Sequence, residues 1–289
     1  MKARQQLRNI LAEPGFCMAA GAYDGLSARL VQQAGFRAVY LTGGGHARAC
    51  GYPDIGLLSL SEIVHWVGLC VEAVEIPVIA DADNGYGNAL NVIRTVREFE
   101  KTGVAALHLE AQVLPKKCGH YEGKALVETA EMVGKIRAAV DARRDADLVI
   151  IARTDARAVE GLAAAIDRVN AYLEAGADVG FVEAPTSEQE LAQIPPRLNG
   201  PALANIFEGG KTPVLPAATL ERFGYKLGVY PSQAQRAAIH AMQQVLKSLL
   251  EQGGDTRRIE DRLASFAERE QIVDTAAWRR LEDRYLRST

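Results

Sequence analysis

The chain has 289 residues, of which 48% are hydrophobic and 24% charged, and its formal net charge at pH 7 is −3. This length suits one large domain or two medium ones, and the small negative charge gives no electrostatic reason to expect nucleic acid or an anionic membrane as a partner. The amino terminus lacks the apolar core of a signal peptide, and no apolar run approaches the roughly 20 residues that cross a bilayer, so we expect a cytoplasmic protein. Four cysteines show no paired or metal-binding spacing, which indicates free thiols.

Short apolar runs alternate with amphipathic segments at a regular pitch. The runs predict strands at residues 16–20, 38–41, 78–82, 105–109, 148–152, 179–182, 202–206 and 226–230. The segments predict helices at 24–34, 61–74, 89–102, 128–140, 161–175 and 187–193. Wholly apolar strands separated by helices are typical of a parallel sheet covered on both faces, and eight such units predict a closed (β/α)8 barrel, a TIM barrel.

Helix starts and the end of the barrel are also marked. Asp24, Ser61 and Ser187 precede helical patterns and are predicted to be N-caps. We expect residues 1–250 to form one catalytic barrel domain that ends in a long helix, and residues 251–289 to form a helical tail. The tail is too polar for a barrel core, so we expect it to pack outside the barrel or on another subunit.

Acidic residues follow two consecutive predicted strands, at the strand ends that carry the active site in such barrels. Asp81 and Asp83 are two residues apart, so on a strand their side chains point to the same side, and Glu110 ends the next strand. Crowded carboxylates raise the pKa of at least one of them unless a cation is present. The three acids therefore predict a Mg²⁺ site, with Mn²⁺ as the other hard cation that fits. The alternative for the pair alone is a capped turn.

A reactive thiol is predicted in the loop after the fourth strand, which reads P-K-K-C-G-H-Y-E-G-K from residue 115. Lys116, Lys117 and His120 surround Cys118, and neighbouring positive charge favours thiolate, so we expect a lowered thiol pKa. The alternative is that Cys118 is a small apolar packing residue and the lysines are only solvated.

Other strand ends carry residues suited to carboxylate binding. Three glycines, Gly43 to Gly45, follow Tyr40 and Thr42 and form either an anion cradle or a flexible turn. Arg153 offers a planar fork to a carboxylate, or a salt bridge to Glu183 or Asp155. Asn205 is either a turn residue or a ligand contact. We expect the remaining histidines to be packing residues: His46, His65, His108 and His240.

Seven motifs resemble the carbon–carbon lyase branch of the isocitrate lyase/phosphoenolpyruvate mutase superfamily, which includes 2-methylisocitrate lyase, dimethylmalate lyase and the petal death protein. They are D-A-D-N-G-Y-G-N-A-L-N-V, L-E-A-Q, P-K-K-C-G-H, A-R-T-D-A, F-V-E-A-P, L-A-N and E-G-G-K-T-P, in that order. The resemblance covers roughly residues 5–250 and the tail. The cysteine motif is its specific part, because phosphonate-processing relatives lack it.

The resemblance implies a Mg²⁺-dependent lyase that cleaves a 2-hydroxy di- or tricarboxylate to a 2-oxo acid and a second carboxylic acid. Mg²⁺ would lie near Asp81, Asp83 and Glu110, and Cys118 would protonate the carbanion from a closing loop. Such relatives are typically homotetramers that exchange a C-terminal helix. The residues assigned to catalysis are Cys118, Lys116, His120, Arg153 and Tyr40, and those assigned to substrate binding are Thr42, Gly43, Gly44, Asp54, Arg153, Glu183 and Asn205.

Some choices stay open at this point. Tyr40, or a water held by Asp54 or Glu183, would accept the hydroxyl proton. The chain departs from the family pattern at Asn84, where Thr is usual, and at Ala111, where Asp is usual. Two other functions compete with the lyase: decarboxylation or hydrolysis of oxaloacetate on the same fold, and an inactive barrel that serves as a binding protein.

Overall fold

Eight short strands, each parallel to its neighbours, close into a barrel in which the last strand pairs with the first. The structure, a computed structural model, describes residues 2–286. The strands are β1 (Cys17–Ala22), β2 (Ala38–Leu41), β3 (Val78–Asp81), β4 (Ala106–Glu110), β5 (Val149–Thr154), β6 (Val179–Val182), β7 (Ala202–Asn205) and β8 (Tyr225–Tyr230). Each overlaps a predicted strand, with bounds that differ by two residues or fewer, and the predicted (β/α)8 barrel is confirmed.

Helices separate the strands and continue after the last one. They are α1 (Ala3–Ala12), α2 (Gly25–Gln33), α3 (Gly43–Ala49), α4 (Leu60–Glu72), α5 (Ala89–Lys101), α6 (Thr129–Ala142), α7 (Leu162–Glu174), α8 (Glu188–Gln193), α9 (Ala217–Phe223), α10 (Gln233–Glu251), α11 (Phe266–Ile272) and α12 (Thr275–Leu286). The prediction passed over α1, α3 and α9. Helix α3 begins with three glycines, which have low helix propensity, so the sequence pattern did not predict it.

Side-chain caps fix where several helices begin. Asp24 accepts from the Ser27 amide at 2.6 Å, and Ser187 caps α8, so both predicted N-caps are confirmed. The prediction was wrong at α4, where the cap is Ser59 rather than Ser61. Glu62 explains the difference, because its carboxylate accepts from the Ser59 amide at 2.7 Å and completes a capping box two residues earlier.

The barrel interior is apolar and is continued at one end by α1. Ile79, Ile151 and Phe181 pack inside the barrel, and Leu7 of α1 belongs to the same buried cluster. Arg8 of α1 donates to a backbone carbonyl next to the first residue of β5. Helix α1 therefore lies at the amino-terminal ends of the strands, which leaves the carboxyl-terminal ends to polar side chains.

The chain divides into two compact units, one that ends at Gln233 and one that begins at Ala234. The first contains the whole barrel, and the second contains most of α10 together with α11 and α12. The domain boundary expected near residue 250, and the exchange of a C-terminal helix, stay predictions. Among residues 2–286, no helix is both long enough and apolar enough to span a membrane.

We predict that Gly21→Ala destabilises the barrel. A Cβ on Gly21 would lie 2.2 Å from the carbonyl oxygen of Pro231, so β1 or the end of β8 must shift. Overpacking of this kind costs about 1–3 kcal/mol, which a urea titration followed by circular dichroism would detect as a lower midpoint.

Gly134→Ala is the matched control, because a Cβ there meets nothing within 4 Å and Gly134 lies inside α6. Alanine is the better helix former, so this variant should gain roughly 0.5–1 kcal/mol. Equal midpoints for the two variants would show that the contact with Pro231 is not tight.

Candidate active site

A cavity of about 90 Å³ opens at the carboxyl-terminal ends of the strands. The structure brings the predicted site residues together around it: all of them line the cavity except Gly43 and Asp83, which contact residues that do. The lining residues are Tyr40, Thr42, Gly44, Arg48, Asp54, Asp81, Glu110, Lys116, Lys117, Cys118, Gly119, His120, Arg153, Glu183, Asn205, Phe207, Pro231 and Ser232. Strand register explains part of the convergence, since Asp81 is opposite His108 and Glu110 is opposite Arg153 on neighbouring strands.

Asp81 and Asp83 form the acidic end of β3. Asp81 accepts from the Gly43 amide at 3.1 Å and from the Asp83 amide at 3.0 Å. Burial alone would raise the pKa of Asp81, but His108, Lys116 and Arg153 outweigh it and lower that pKa to about 2. Burial and the charge of Asp81 raise the pKa of Asp83 to about 6, although Lys116 opposes the shift. Crowding with Asp81 thus contributes to the raised pKa of Asp83 as predicted, but burial is the larger cause.

Glu110 has too few hydrogen-bond donors for both of its carboxylate oxygens. One carboxylate oxygen lies 3.4 Å from Arg153, and the other is buried without a hydrogen-bond partner among residues 2–286. Burial raises the pKa of Glu110 well above its usual range. A buried carboxylate oxygen without a donor is unfavourable, and a cation placed against it would remove that cost.

These acids fit a magnesium ion. Across the described part of the chain, no three Asp, Glu, His or Cys side chains are gathered as a ready-made set of direct metal ligands. Mg²⁺ does not need such a set, because it usually keeps several waters and binds through one or two carboxylates together with the substrate. The all-oxygen donors of Asp81, Asp83 and Glu110, and the unpartnered oxygen of Glu110, match that chemistry.

Lys116 is buried and bridges two acids. Its Nζ lies 2.6 Å from Asp54 and 2.7 Å from Asp83. Burial alone would lower the pKa of Lys116, but Asp83 and Asp54 raise it well above its usual value, so the ammonium stays charged. Lys116 therefore neutralises acids of the site.

Arg153 joins three carboxylates at the ends of neighbouring strands. Its guanidinium donates to Asp155 at 3.1 and 3.2 Å and lies 3.2 Å from Glu183 and 3.4 Å from Glu110. The salt-bridge alternative for Arg153 is thus present in the structure. Its proposed contact with a substrate carboxylate stays a prediction, because such a carboxylate would have to share the guanidinium with these acids.

Glu183 connects Arg153 to two further predicted residues. Asn205 donates to its carboxylate at 3.2 Å, and His120 Nε2 lies 3.2 Å from it. His120 Nδ1 accepts from the Lys211 amide at 3.0 Å, which leaves the ring proton on the nitrogen that faces Glu183. Burial would raise the pKa of Glu183, but Arg153 and His120 lower it below its usual value, so Glu183 is ionised.

The prediction of a lowered pKa at Cys118 is wrong. Burial raises the pKa of the thiol, and the charges of Asp54 and Glu183 raise it further. Lys116 does not offset this effect because its charge is already paired with Asp54 and Asp83. Cys118 is therefore a protonated thiol at neutral pH, which suits a proton donor better than a nucleophile.

The glycines after β2 open helix α3 and do not form a flexible turn. The Gly43 amide is already occupied by Asp81, and a Cβ on Gly43 would lie 2.8 Å from that carboxylate. A Cβ on Gly44 would lie equally close to Asp54. Glycine is therefore required here so that the acids can approach the backbone. Whether Thr42 and the two glycines also bind substrate stays a prediction.

The loop that carries Cys118 is held at its base by residues that sequence reasoning gave no role. Gln112 donates to the Lys117 carbonyl at 2.8 Å and accepts from the Lys117 amide at 2.9 Å. Asn84, a departure from the family pattern, donates to the Gln112 carbonyl at 3.2 Å. Buried Lys124 donates to the Gly119 carbonyl and lies 3.2 Å from Asp155. These contacts fix the backbone on both sides of the thiol.

His108 was expected only to pack, and it also contacts the site. Its Nε2 lies 2.9 Å from the Tyr40 hydroxyl and 3.5 Å from Asp81. Its spacing from Glu110 could have revealed this, because residues two apart on a strand face the same side. Burial raises the pKa of Tyr40 well above its usual value, so Tyr40 is a neutral phenol. A neutral phenol can accept a proton only as it passes its own proton on, and His108 Nε2 is within hydrogen-bond distance of the hydroxyl.

Comparison with known proteins identifies the family. The phosphoenolpyruvate phosphomutase family matches residues 7–250. The chain is 44% identical to 2,3-dimethylmalate lyase of Eubacterium barkeri over 99% of each chain. It is 45% identical to 2-methylisocitrate lyase of Aeropyrum pernix over 86% of this chain and 80% of the relative. The chain belongs to the phosphoenolpyruvate mutase/isocitrate lyase superfamily, and the predicted enzyme of the carbon–carbon lyase type is confirmed.

Solved structures agree with this placement. A crystal structure of 2,3-dimethylmalate lyase superposes with a TM-score of 0.92 at 37% identity, covering 98% of this chain and 95% of that one. Oxaloacetate acetylhydrolase with 3,3-difluorooxalacetate gives 0.91 at 31% identity, covering 98% and 96%. Phosphonopyruvate hydrolase with oxalate and Mg²⁺ gives 0.90 at 31% identity, covering 99% and 100%. The fold is therefore shared by members with different reactions.

We predict that Gln112→Ala exposes Cys118. The variant removes both hydrogen bonds to Lys117, and each contributes about 1 kcal/mol. The loop should therefore open more often, and the thiol should react roughly 30-fold faster with an alkylating reagent. Mass spectrometry of the peptide that contains Cys118 would measure its rate separately from the other thiols.

Gln193→Ala is the control, because Gln193 is an exposed residue of α8. It should leave the labelling rate of Cys118 unchanged. An unchanged rate in Gln112→Ala as well would mean that Lys124 or other contacts hold the loop without Gln112.

Proposed function

We propose that the protein is a Mg²⁺-dependent lyase that cleaves the C2–C3 bond of a 2-hydroxy di- or tricarboxylate of the 2-alkylmalate, 2,3-dimethylmalate or 2-methylisocitrate type. The products are a 2-oxo acid and a carboxylic acid. The observation that carries the proposal is the cavity itself, in which a protonated thiol on a loop faces carboxylates suited to a hard cation. The names of the relatives support the same substrate class.

The acids Asp81, Asp83 and Glu110 would hold the metal, with Asp54 beside them through Lys116. Bound Mg²⁺ would act as a Lewis acid toward the 2-hydroxyl and the adjacent carboxylate, and Mn²⁺ would fit the same donors. A solved relative contains Mg²⁺, which supports this choice. The Lys116 ammonium would limit the repulsion between the acids and an anionic substrate.

The remaining steps belong to side chains of the cavity. The 2-hydroxyl loses its proton to a water held by Asp54 or Glu183, or to Tyr40 as the phenol passes its own proton to His108 Nε2. The C2–C3 electron pair moves to C3 as the 2-oxo group forms. Cys118 then gives its proton to C3 of the released acid, and the thiolate is reprotonated from solvent. His120 and Arg153 position Glu183 beside this reaction, and the closed loop excludes water from it.

The same cavity suits a second reaction. Oxaloacetate acetylhydrolase shares the fold, and a 2-oxo dicarboxylate could occupy the position of the proposed substrate. Decarboxylation or hydrolysis of oxaloacetate would not require proton delivery from Cys118. The position of the thiol on the cavity wall therefore favours the lyase.

We further propose a cytoplasmic homotetramer in which the C-terminal helices contact a neighbouring subunit. Within the second unit, large apolar side chains are exposed, among them Leu250 at 84%, Phe266 at 70% and Trp278 at 68%. Exposed apolar surface of this kind is typical of a protein interface.

Purified protein with Mg²⁺ should release a 2-oxo acid from at least one of four substrates: methylisocitrate, isocitrate, 2,3-dimethylmalate or a 2-alkylmalate. A coupled dehydrogenase assay for pyruvate or glyoxylate would detect it. Removal of metal with EDTA should abolish the signal, and added Mg²⁺ should restore it. Turnover of oxaloacetate alone would overturn the lyase in favour of the second reaction.

Cys118→Ser should lower kcat about 100-fold or more, since a hydroxyl is a much weaker acid than a thiol and general acid catalysis contributes at least that much. Cys50→Ser is the control, because Cys50 is a free, partly buried thiol outside the cavity lining, and its kcat should match the unaltered enzyme. A Cys118→Ser enzyme with full lyase turnover would eliminate the thiol as the proton donor.

A further inference from the structure

Arg48 is a cation of the cavity wall that the protein leaves unpaired. It lies on α3 and lines the cavity. Within residues 2–286, its guanidinium makes neither an ion pair nor a hydrogen bond with a protein group. Arg48 lies outside the seven family motifs and was not among the predicted site residues.

The other cations of the wall already have protein acceptors. Lys116 pairs with Asp54 and Asp83, and Arg153 pairs with acids of three strand ends. Lys117 donates to the Gly123 carbonyl at 2.8 Å. An incoming carboxylate must compete with these acceptors, whereas among residues 2–286 no protein acceptor is bonded to the Arg48 guanidinium.

The Arg48 guanidinium lies in the space beside Gly44, where a larger residue would place its side chain. One terminal nitrogen of Arg48 lies 3.0 Å from the point that a Cβ on Gly44 would occupy, and a carboxylate oxygen of Asp54 lies 2.8 Å from the same point. The missing side chain at Gly44 thus leaves room for the guanidinium close to Asp54, which Lys116 connects to the metal-site acid Asp83. Arg48 as a whole is exposed, whereas Arg153 is buried, so Arg48 lies toward the mouth of the cavity.

We propose that Arg48 binds the outer carboxylate of the substrate, meaning the carboxylate on the far side of the C2–C3 bond from the metal. This rests on the proposed function. A guanidinium accepts a carboxylate through two parallel hydrogen bonds, and a partly enclosed cavity strengthens them. A substrate that lacks an outer carboxylate would leave Arg48 unpaired and would bind less tightly. Arg48 therefore selects for polycarboxylate substrates.

Binding can be measured without turnover, which separates this proposal from the proposed function. Oxalate mimics only the inner part of the substrate, while tricarballylate adds outer carboxylates but lacks the hydroxyl needed for cleavage. Calorimetry in the presence of Mg²⁺ should show that Arg48→Met weakens tricarballylate binding about tenfold, with less than about a twofold change for oxalate. Arg48→Lys should recover part of the loss, because lysine keeps the charge without the fork.

Arg94→Met is the matched control, because it removes the same charge from an exposed position of α5 outside this cavity. It should bind both acids like the unaltered protein. The proposal is overturned if Arg48→Met binds tricarballylate normally, if it weakens both acids equally, or if Arg94→Met has the same effect. If lyase turnover is found, Arg48→Met should raise KM for that substrate more than it lowers kcat.

Discussion

The balance between crowded acids and buried cations at one end of the barrel is the constraint on which the site depends. Acidic side chains converge there from successive strand ends and loops: Asp54, Asp81, Asp83, Glu110, Asp155 and Glu183. Lys116 and Arg153 each contact at least two of them, and the acids they reach are stabilised unequally. As a result, neighbouring carboxyl groups acquire very different pKa values, which is a frequent mark of functional sites.

The loop that carries Cys118 also supplies lysines that pair with the acids of the site. Lys116 is a loop residue, so its pairing with Asp54 and Asp83 attaches the loop to the acids as it neutralises them. Lys124, at the other side of the loop, reaches Asp155, which itself pairs with Arg153. Placement of the thiol and neutralisation of the acids therefore depend on the same loop contacts.

The sequence was sufficient for the barrel and for most of the site, because both follow from local patterns. Wholly apolar strands end at polar residues, and parallel strands bring those ends together, so Asp81, Glu110 and Arg153 could be placed near one another in advance. The direction of the Cys118 pKa shift could not be predicted, because the shift comes first from burial and Lys116 is paired with the distant acids Asp54 and Asp83. Helix α3 was missed for a similar reason, because glycines there serve the approach of Asp81 and Asp54, and that contact is visible only in three dimensions.

Burial raises the pKa of the Cys118 thiol, and the charges of Asp54 and Glu183 raise it further, so the thiol keeps its proton. The cations Lys116 and Arg153 are already paired with acids, so a second substrate carboxylate would have to compete for them. A site that binds a polyanion over acidic residues then needs a positive group outside the paired set, and Arg48 is placed where such a group can contact the substrate without drawing on the cations that hold the acids.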